Sequence, residues 1–224
     1  MMSGKRWGYV VQFFCLLVFL GMSPFLIKMD GRKTRSVSSD SVRSQNVSDE
    51  VKPVVALTFD DGPNASSTPI LLDGLKERKV RATFFLIGEN VEKDENEKIV
   101  KRMYEEGHLI GNHTYTHCNL SKLETGEAKK ELEQTDTVIE KITGKQPVFA
   151  RAPYGELPVD SEQDLNRIYI GWTVDPLDWM TEDTGAVILL HDCYPSSVQA
   201  AIRIVDLLQG KGYEFVTVDH LIMD

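Results

Sequence analysis

Val54-Val55-Ala56-Leu57-Thr58-Phe59 is a short apolar run, rich in β-branched and aromatic residues, that stops at Asp60-Asp61-Gly62-Pro63. That pattern is a strand running into a turn. Thr68-Pro69 then opens a helix, with Thr68 as its cap, Pro69 at the first helical position and Ile70, Leu71 and Leu75 turned inward. The alternation continues outward from there. Ala82–Ile87 reads as a strand, Ile99, Val100 and Met103 mark a helix that Gly107 closes, and Leu109–Gly111 is a short strand. Ser121 to Ile142 carries a long charged helix with Leu132, Val138, Ile139 and Ile142 on one face, ended by Gly144. Val148–Ala150, Ile168–Val174 and Val187–Leu190 read as three more strands. Val198, Ala201, Ile202, Val205 and Leu208 form an amphipathic helix, and Phe215–Val218 a last strand. About seven strands, mostly separated by helices, predict an α/β fold with a parallel sheet, either open or closed as a barrel.

The chain has 224 residues, 25 basic and 34 acidic, for a net charge of −9. Residues 1–50 hold seven Lys and Arg against four Asp and Glu, so the remainder carries −12. A body that acidic lacks the basic face that phosphate backbones require, which excludes general nucleic-acid binding. Cys15, Cys118 and Cys193 are too few for a disulfide scaffold or a four-cysteine zinc site.

Lys5 and Arg6 precede an uncharged run from Trp7 to Ile27. A helix of that length, rising about 1.5 Å per residue, crosses the roughly 30 Å hydrocarbon layer. Trp7 and Tyr9 suit an interfacial aromatic belt, and no Ala-x-Ala-like cleavage site follows. Residues 1–27 are therefore expected to be an uncleaved single-pass membrane anchor, with a cleaved signal segment and secretion as the alternative. Residues 28–51, rich in Ser, Asp, Lys and Arg and without apolar periodicity, read as a flexible stalk to a domain at 52–224. Lys28, Arg32, Lys33 and Arg35 outnumber the cations before the run and argue weakly against an amino terminus on the inside.

Function in α/β architectures collects at the carboxyl ends of the strands. Asp60 and Asp61 end the first strand, His113 and His117 follow the third, Arg151 the fourth, Asp175 and Asp178 the fifth, and His191 and Asp192 the sixth. Each alone is weak evidence, since an Asp pair beside Gly-Pro is ordinary turn chemistry. Five such ends in register exceed what turns explain. His113 and His117 are four apart, which on one turn of helix turns both imidazoles to one ion. A carboxylate completes a two-His, one-carboxylate set with open positions, the pattern of a catalytic metal site. Zinc suits it best, with cobalt, nickel or iron as alternatives. Asp60 and Asp61, adjacent in an extended segment, point different ways, so one can hold the metal while the other acts as general base.

Thr58-Phe59-Asp60-Asp61-Gly62-Pro63, His113-Thr114-Tyr115-Thr116-His117, Arg151-Ala152-Pro153-Tyr154-Gly155, Asp175-Pro176-Leu177-Asp178-Trp179 and Leu189-Leu190-His191-Asp192 resemble, in order, the five motifs of the NodB-type polysaccharide deacetylases, carbohydrate esterase family 4. The resemblance covers about residues 52–222. It implies a distorted (β/α) barrel, here with shortened connections after Tyr154 and Trp179 that bear on its closure, and metal-dependent removal of acetyl groups from sugars. It also implies roles. Asp60 is the catalytic base, Asp61, His113 and His117 are the metal ligands, and Arg151 pairs with Asp60. The Tyr154 N–H binds the oxyanion, His191 is the general acid tuned by Asp175, and Trp179 and Leu189 wall the acetyl pocket. The expected substrate is N-acetylated polysaccharide, cell-wall peptidoglycan first, which places the body outside the membrane. An O-acetyl esterase acting on xylan and a non-catalytic carbohydrate-binding protein are the alternatives. Cys118 and Cys193 flank the proposed site and are expected to be able to pair, while His108 and His220 match no motif and read as structural or surface residues.

Overall fold

The computed structural model describes residues 52–93, 95–157, 167–174 and 185–223. The expected anchor at 1–27, the stalk at 28–51, Asp175, Asp178 and Trp179 lie outside these residues. Among the described residues no helix is long and apolar enough to cross a membrane.

The element order is β1 (Val54–Asp60), α1 (Thr68–Glu77), β2 (Thr83–Leu86), α2 (Gly88–Val91), α3 (Asn96–Glu105), β3 (Leu109–Asn112), α4 (Thr125–Thr143), β4 (Phe149–Ala150), β5 (Ile168–Tyr169), β6 (Ala186–His191), α5 (Pro195–Gly210), β7 (Glu214–Val216) and α6 (Val218–Met223). The strands form one parallel sheet in the order β5-β4-β3-β2-β1-β6. β7 pairs in parallel with Val54–Ala56, while β2 pairs with Thr58–Asp60. Because β6 runs along Val55–Asp60, β7 and β2 share the opposite edge of β1. The sheet curls into a half-barrel, an incomplete form of the distorted (β/α) barrel expected from the shortened connections. The segment that starts as β5 reaches β6 through a single bridge, Val174 to Ile188. Ile168–Val174, expected as one strand, thus pairs with β4 at one end and β6 at the other.

Side chains alternate across a strand, so each face has its own composition. Val55, Leu57 and Phe59 of β1, Phe84 and Leu86 of β2 and Ile188 and Leu190 of β6 face outward. There they pack on Leu71, Leu72 and Leu75 of α1, Val100 and Met103 of α3, and Val198, Ala201 and Val205 of α5. Burying each leucine or phenylalanine contributes about 1.5–3 kcal/mol. The inner face carries an apolar cluster of Ala56, Phe85, Phe149, Ile170 and Val218, with Phe85 level with Asp60. Toward the carboxyl end of β1 it turns polar, with Thr58 and Asp60 following Ala56 on the same side. A polar rim is thereby set against that apolar cluster.

Several boundaries differ from expectation. Ser67, not Thr68, is the residue that flanks α1, and Thr68 is its first helical residue. The long helix starts at Thr125 after a separate 3₁₀ turn at Leu120–Lys122, and it ends as expected with Gly144 left-handed (φ 72°) and donating to Glu140. Val218 does not extend the last strand. It begins α6, and its N–H donates to the Thr83 hydroxyl.

Candidate metal centre and catalytic residues

The carboxyl ends of β1, β3, β4 and β6 bring Asp60, Asp61, His113, His117, Arg151 and His191 to one rim. Asp60 and His191 are register partners across β1 and β6. Asp61 leaves the strand with φ 71°, a left-handed turn that swings its carboxylate away from that of Asp60. The two carboxylates diverge for that reason, not because the segment stays extended.

Asp61 Oδ1 lies 3.2 Å from His117 Nε2 and 3.4 Å from His113 Nε2. It is buried and makes no well-formed hydrogen bond. Ligand atoms of Asp61, His113 and His117 all lie within 4.8 Å of one another. A tetrahedral ion with bonds of about 2.0–2.1 Å has ligand-to-ligand edges of about 3.3 Å, so these residues fit a zinc-sized ion. The His113 Nδ1–H donates to the Arg151 carbonyl at 2.7 Å, which leaves its Nε2 lone pair aimed at Asp61. Tyr154 Oη lies 3.4 Å from His117 Nδ1. Burial pushes the Asp61 carboxyl up, but the imidazoles of His113 and His117 more than reverse this and hold it well below the usual range. Burial lowers His113 in turn, and the Asp60 charge, Asp61 and the Arg151 carbonyl raise it above the ordinary value.

His113 and His117 are not on a helix. They are joined by an irregular loop in which Thr114 (φ 65°) and His117 (φ 58°) are left-handed. The four-residue spacing works because this loop folds back, not because of helical periodicity.

Arg151 is 1% exposed and bonds to four groups. Nη1 donates to Asp60 Oδ1 and to the Thr58 hydroxyl, each at 2.8 Å. Nε and Nη2 donate to the Ile170 and Gly171 carbonyls. Its guanidinium also stacks over the Phe85 ring, 4.3 Å from the centroid. The pairing with Asp60 is single-pronged, not a bidentate fork, because the other donors are taken by backbone. Burial lowers the Arg151 pKa, and Asp60 opposes that shift.

His191 Nε2 lies 3.9 Å from Asp61 Oδ2, so the imidazole faces the same centre from the β6 side. Leu189, two residues earlier, is buried on the same face of β6 and is the register partner of Thr58. Tyr154 is exposed on the 3₁₀ turn Pro153–Gly155 with φ 62°. A cavity of about 480 Å³ opens beside Asp61, lined also by Asn64, Ser66, Asn90, Lys93 and Cys193. That volume lies within the roughly 300–1,000 Å³ typical of ligand pockets.

Cys118 and Cys193 are free thiols, so the pairing suggested by their positions is not made. Burial, then Asp61 and Asp192, push the Cys193 thiol up to about 11. His108 is buried and structural, while His220 is exposed. Three contributors have no marker in the sequence. Thr58 lies in the first motif but reads as an ordinary strand residue, Phe85 as core, and Glu131, whose carboxylate accepts from the Tyr115 and Thr116 N–H groups between the two histidines, as the solvent side of a charged helix.

A parallel α/β half-barrel with an aspartate, two histidines and a buried Asp–Arg pair on its carboxyl rim has the make-up of a hydrolase. Residues 48–170 match the family model described as polysaccharide deacetylase. A peptidoglycan-N-acetylglucosamine deacetylase of Bacillus cereus is 42% identical over 190 residues, spanning 76% of this chain and 68% of its own. The peptidoglycan-N-acetylmuramic acid deacetylase PdaC of Bacillus subtilis is 37% identical over 194 residues, spanning 81% of this chain but 41% of its own. The solved structure of PdaC superposes with a TM-score of 0.73 over 77% of this chain and 91% of the solved one. A family 4 acetyl xylan esterase from Clostridium thermocellum, solved with a cobalt ion, is 32% identical with a TM-score of 0.68 over 76% of this chain and 90% of that one. The chain is an enzyme of the polysaccharide deacetylase family, NodB-type, as the five motifs imply.

Proposed function

We propose that the enzyme removes N-acetyl groups from N-acetylglucosamine-containing polysaccharide, cell-wall peptidoglycan first, and depends on a divalent metal for that reaction. The observation that carries this reading is the unbonded Asp61 Oδ1 held 3.2 and 3.4 Å from two imidazole nitrogens. The names of the Bacillus relatives support the substrate class.

In this reading Asp61, His113 and His117 hold zinc, or cobalt in its place. The ion supplies Lewis acidity, making water easier to deprotonate and the acetyl carbonyl easier to attack. Asp60 takes the proton of the attacking water, with Arg151 fixing one of its oxygens. The Tyr154 N–H donates to the oxyanion that forms at the acetyl carbon. His191 delivers a proton to the sugar nitrogen as the carbon–nitrogen bond breaks, leaving acetate and a free amine. Leu189, with Trp179, walls the methyl group, and Asp175 orients His191. The anchor at 1–27 holds the body on the outer side of the cell membrane, where peptidoglycan lies.

Acetate release from peptidoglycan, chitooligosaccharide and acetylxylan, with and without chelator, tests this. Chelator-sensitive release from the two N-acetylated glycans supports it. Release from acetylxylan alone would instead favour an O-acetyl esterase, the reading that likeness to the acetyl xylan esterase supports. Glycan binding without any release would leave a non-catalytic carbohydrate binder. Protease shaving of intact cells tests the location, since an outward-facing body is cleaved.

A further inference from the structure

The loop between the two histidines has almost no regular structure of its own, yet the backbone N–H groups of Thr114, Tyr115 and Thr116 all have acceptors. The Thr114 N–H donates to Asn112 Oδ1 at 2.8 Å. The Thr114 and Tyr115 carbonyls accept from the N–H groups of Gly88 and Glu89 at the start of α2, each at 3.0 Å. The two remaining donors both point at one side chain. Glu131 Oε2 accepts from the Tyr115 N–H at 3.0 Å and from the Thr116 N–H at 2.8 Å, while Oε1 accepts from the Thr116 hydroxyl at 3.1 Å. Glu131 comes from α4, fifteen residues beyond Thr116, and is half-buried.

We infer that Glu131 is a positioning residue for the His113–His117 pair, bracing the connecting loop so that both Nε2 atoms stay aimed at Asp61. A carboxylate accepting two successive backbone N–H groups forms charge-assisted bonds, stronger than the neutral bonds water would offer a mobile loop. The loop has a particular need of such a brace. Two of its residues sit at left-handed φ without being glycine, a conformation that persists only when surrounding contacts hold it. Without Glu131, the backbone N–H groups of Tyr115 and Thr116 lose the side-chain acceptor they share, and Tyr115 keeps only the bond from its hydroxyl to Glu92. His117, at the loop's far end, is then the ligand most displaced, whereas His113 stays tied to the Arg151 carbonyl.

The inference rests on Asp61, His113 and His117 holding a metal, and its test separates the two ideas. In the full-length protein, Glu131→Ala is expected to weaken zinc affinity 10–100-fold in competition with a chelating indicator, the usual cost of losing support behind a ligand. The d–d spectrum of the cobalt-loaded variant is expected to shift, because His117 no longer meets the ion at its native angle. In metal-free protein, amide exchange at Tyr115 and Thr116 is expected to quicken at least tenfold. Glu131→Gln, which keeps one acceptor oxygen, should fall between wild type and Ala, and decides the matter should Ala fail to fold. Glu133→Gln, an exposed partner of Lys129 on the same helix, should change none of these readouts. Wild-type zinc affinity and wild-type exchange in Glu131→Ala would overturn the inference. Quickened exchange in a chain whose wild type binds no zinc would overturn the metal reading and leave the brace standing.

Discussion

Arg151 Nη1 stands 2.8 Å from Asp60 Oδ1 with both side chains buried, so the proposed base is held by the most buried cation described in the fold. Removing one partner of such a pair strands the other charge and costs about 3–5 kcal/mol. Arg151→Ala is therefore expected to lower the thermal midpoint by several degrees and to abolish acetate release. Arg151→Lys should rescue only part of the stability, because a single ammonium cannot reach Asp60, Thr58 and two carbonyls together. Calorimetry and an acetate assay check both.

Asp60→Asn should separate catalysis from metal binding. The amide still accepts from Arg151 but takes no proton from water, so acetate release is expected to fall by roughly 10²–10⁴-fold. Metal content should stay close to wild type, since Asp60 lies 3.8 Å from His113 Nε2 and is not one of the three converging ligands. Loss of metal together with activity would make Asp60 a ligand.

His191 is assigned to the leaving group, which gives a substrate-dependent outcome. An amine must be protonated to leave, whereas a nitrophenolate need not be. His191→Ala is expected to cost roughly 10²–10⁴-fold on N-acetylated glycan but less than about tenfold on 4-nitrophenyl acetate. Equal losses on both substrates would remove His191 from the acid role.

Gly62 is expected to tolerate no side chain. A Cβ there would sit 2.4 Å from the Asp192 carboxylate, which is fully buried against Thr68. The same burial pushes the Asp192 carboxyl up to about 7. Gly62→Ala should cost about 1–3 kcal/mol by overpacking and move the neighbouring Asp61. Denaturant unfolding and zinc titration of the variant report the two effects separately.

His108 predicts how stability depends on pH. Burial lowers its pKa from 6.5 to about 4, and its Nδ1 accepts from the Ala82 N–H, a bond only the neutral ring makes. Between about pH 6.5 and 4 the unfolded chain binds a proton that the folded chain does not. Stability from this residue is thus full above pH 6.5 and lost on acidification through that window, by about 3 kcal/mol at most. His108→Gln should flatten that part of a stability-against-pH curve measured by urea unfolding.

Much of the fold was legible because its strands are short apolar runs punctuated by turn residues. Val54–Phe59, Leu109–Gly111 and Gly144 fall where periodicity and capping put them. The parallel sheet followed from alternation, and the gathering of Asp60, His113, Arg151 and His191 from their place at strand ends. What sequence periodicity could not show was set by long-range contacts. The His113–His117 spacing suggested a helical turn, but the loop is shaped by α2 and by Glu131, neither of which carries a local signal there. α2 itself, four residues long, is too short for a period to register. Val218 has the character of a strand residue, yet its N–H is claimed by Thr83 and the chain turns into α6. Glu131 lies among alternating charges that read as a solvated helix face, so only the folded chain reveals which of them points inward.

The central claim is that Asp61, His113 and His117 together hold one divalent ion on which acetate release depends. It is tested most directly by titrating zinc into chelator-stripped protein while following acetate release from N-acetylated peptidoglycan. Release is expected to be negligible at the start, to rise with added zinc and to level off at one equivalent, with His117→Ala binding zinc far more weakly and staying inactive. Full release by the stripped protein, or an undiminished plateau in His117→Ala, would contradict it.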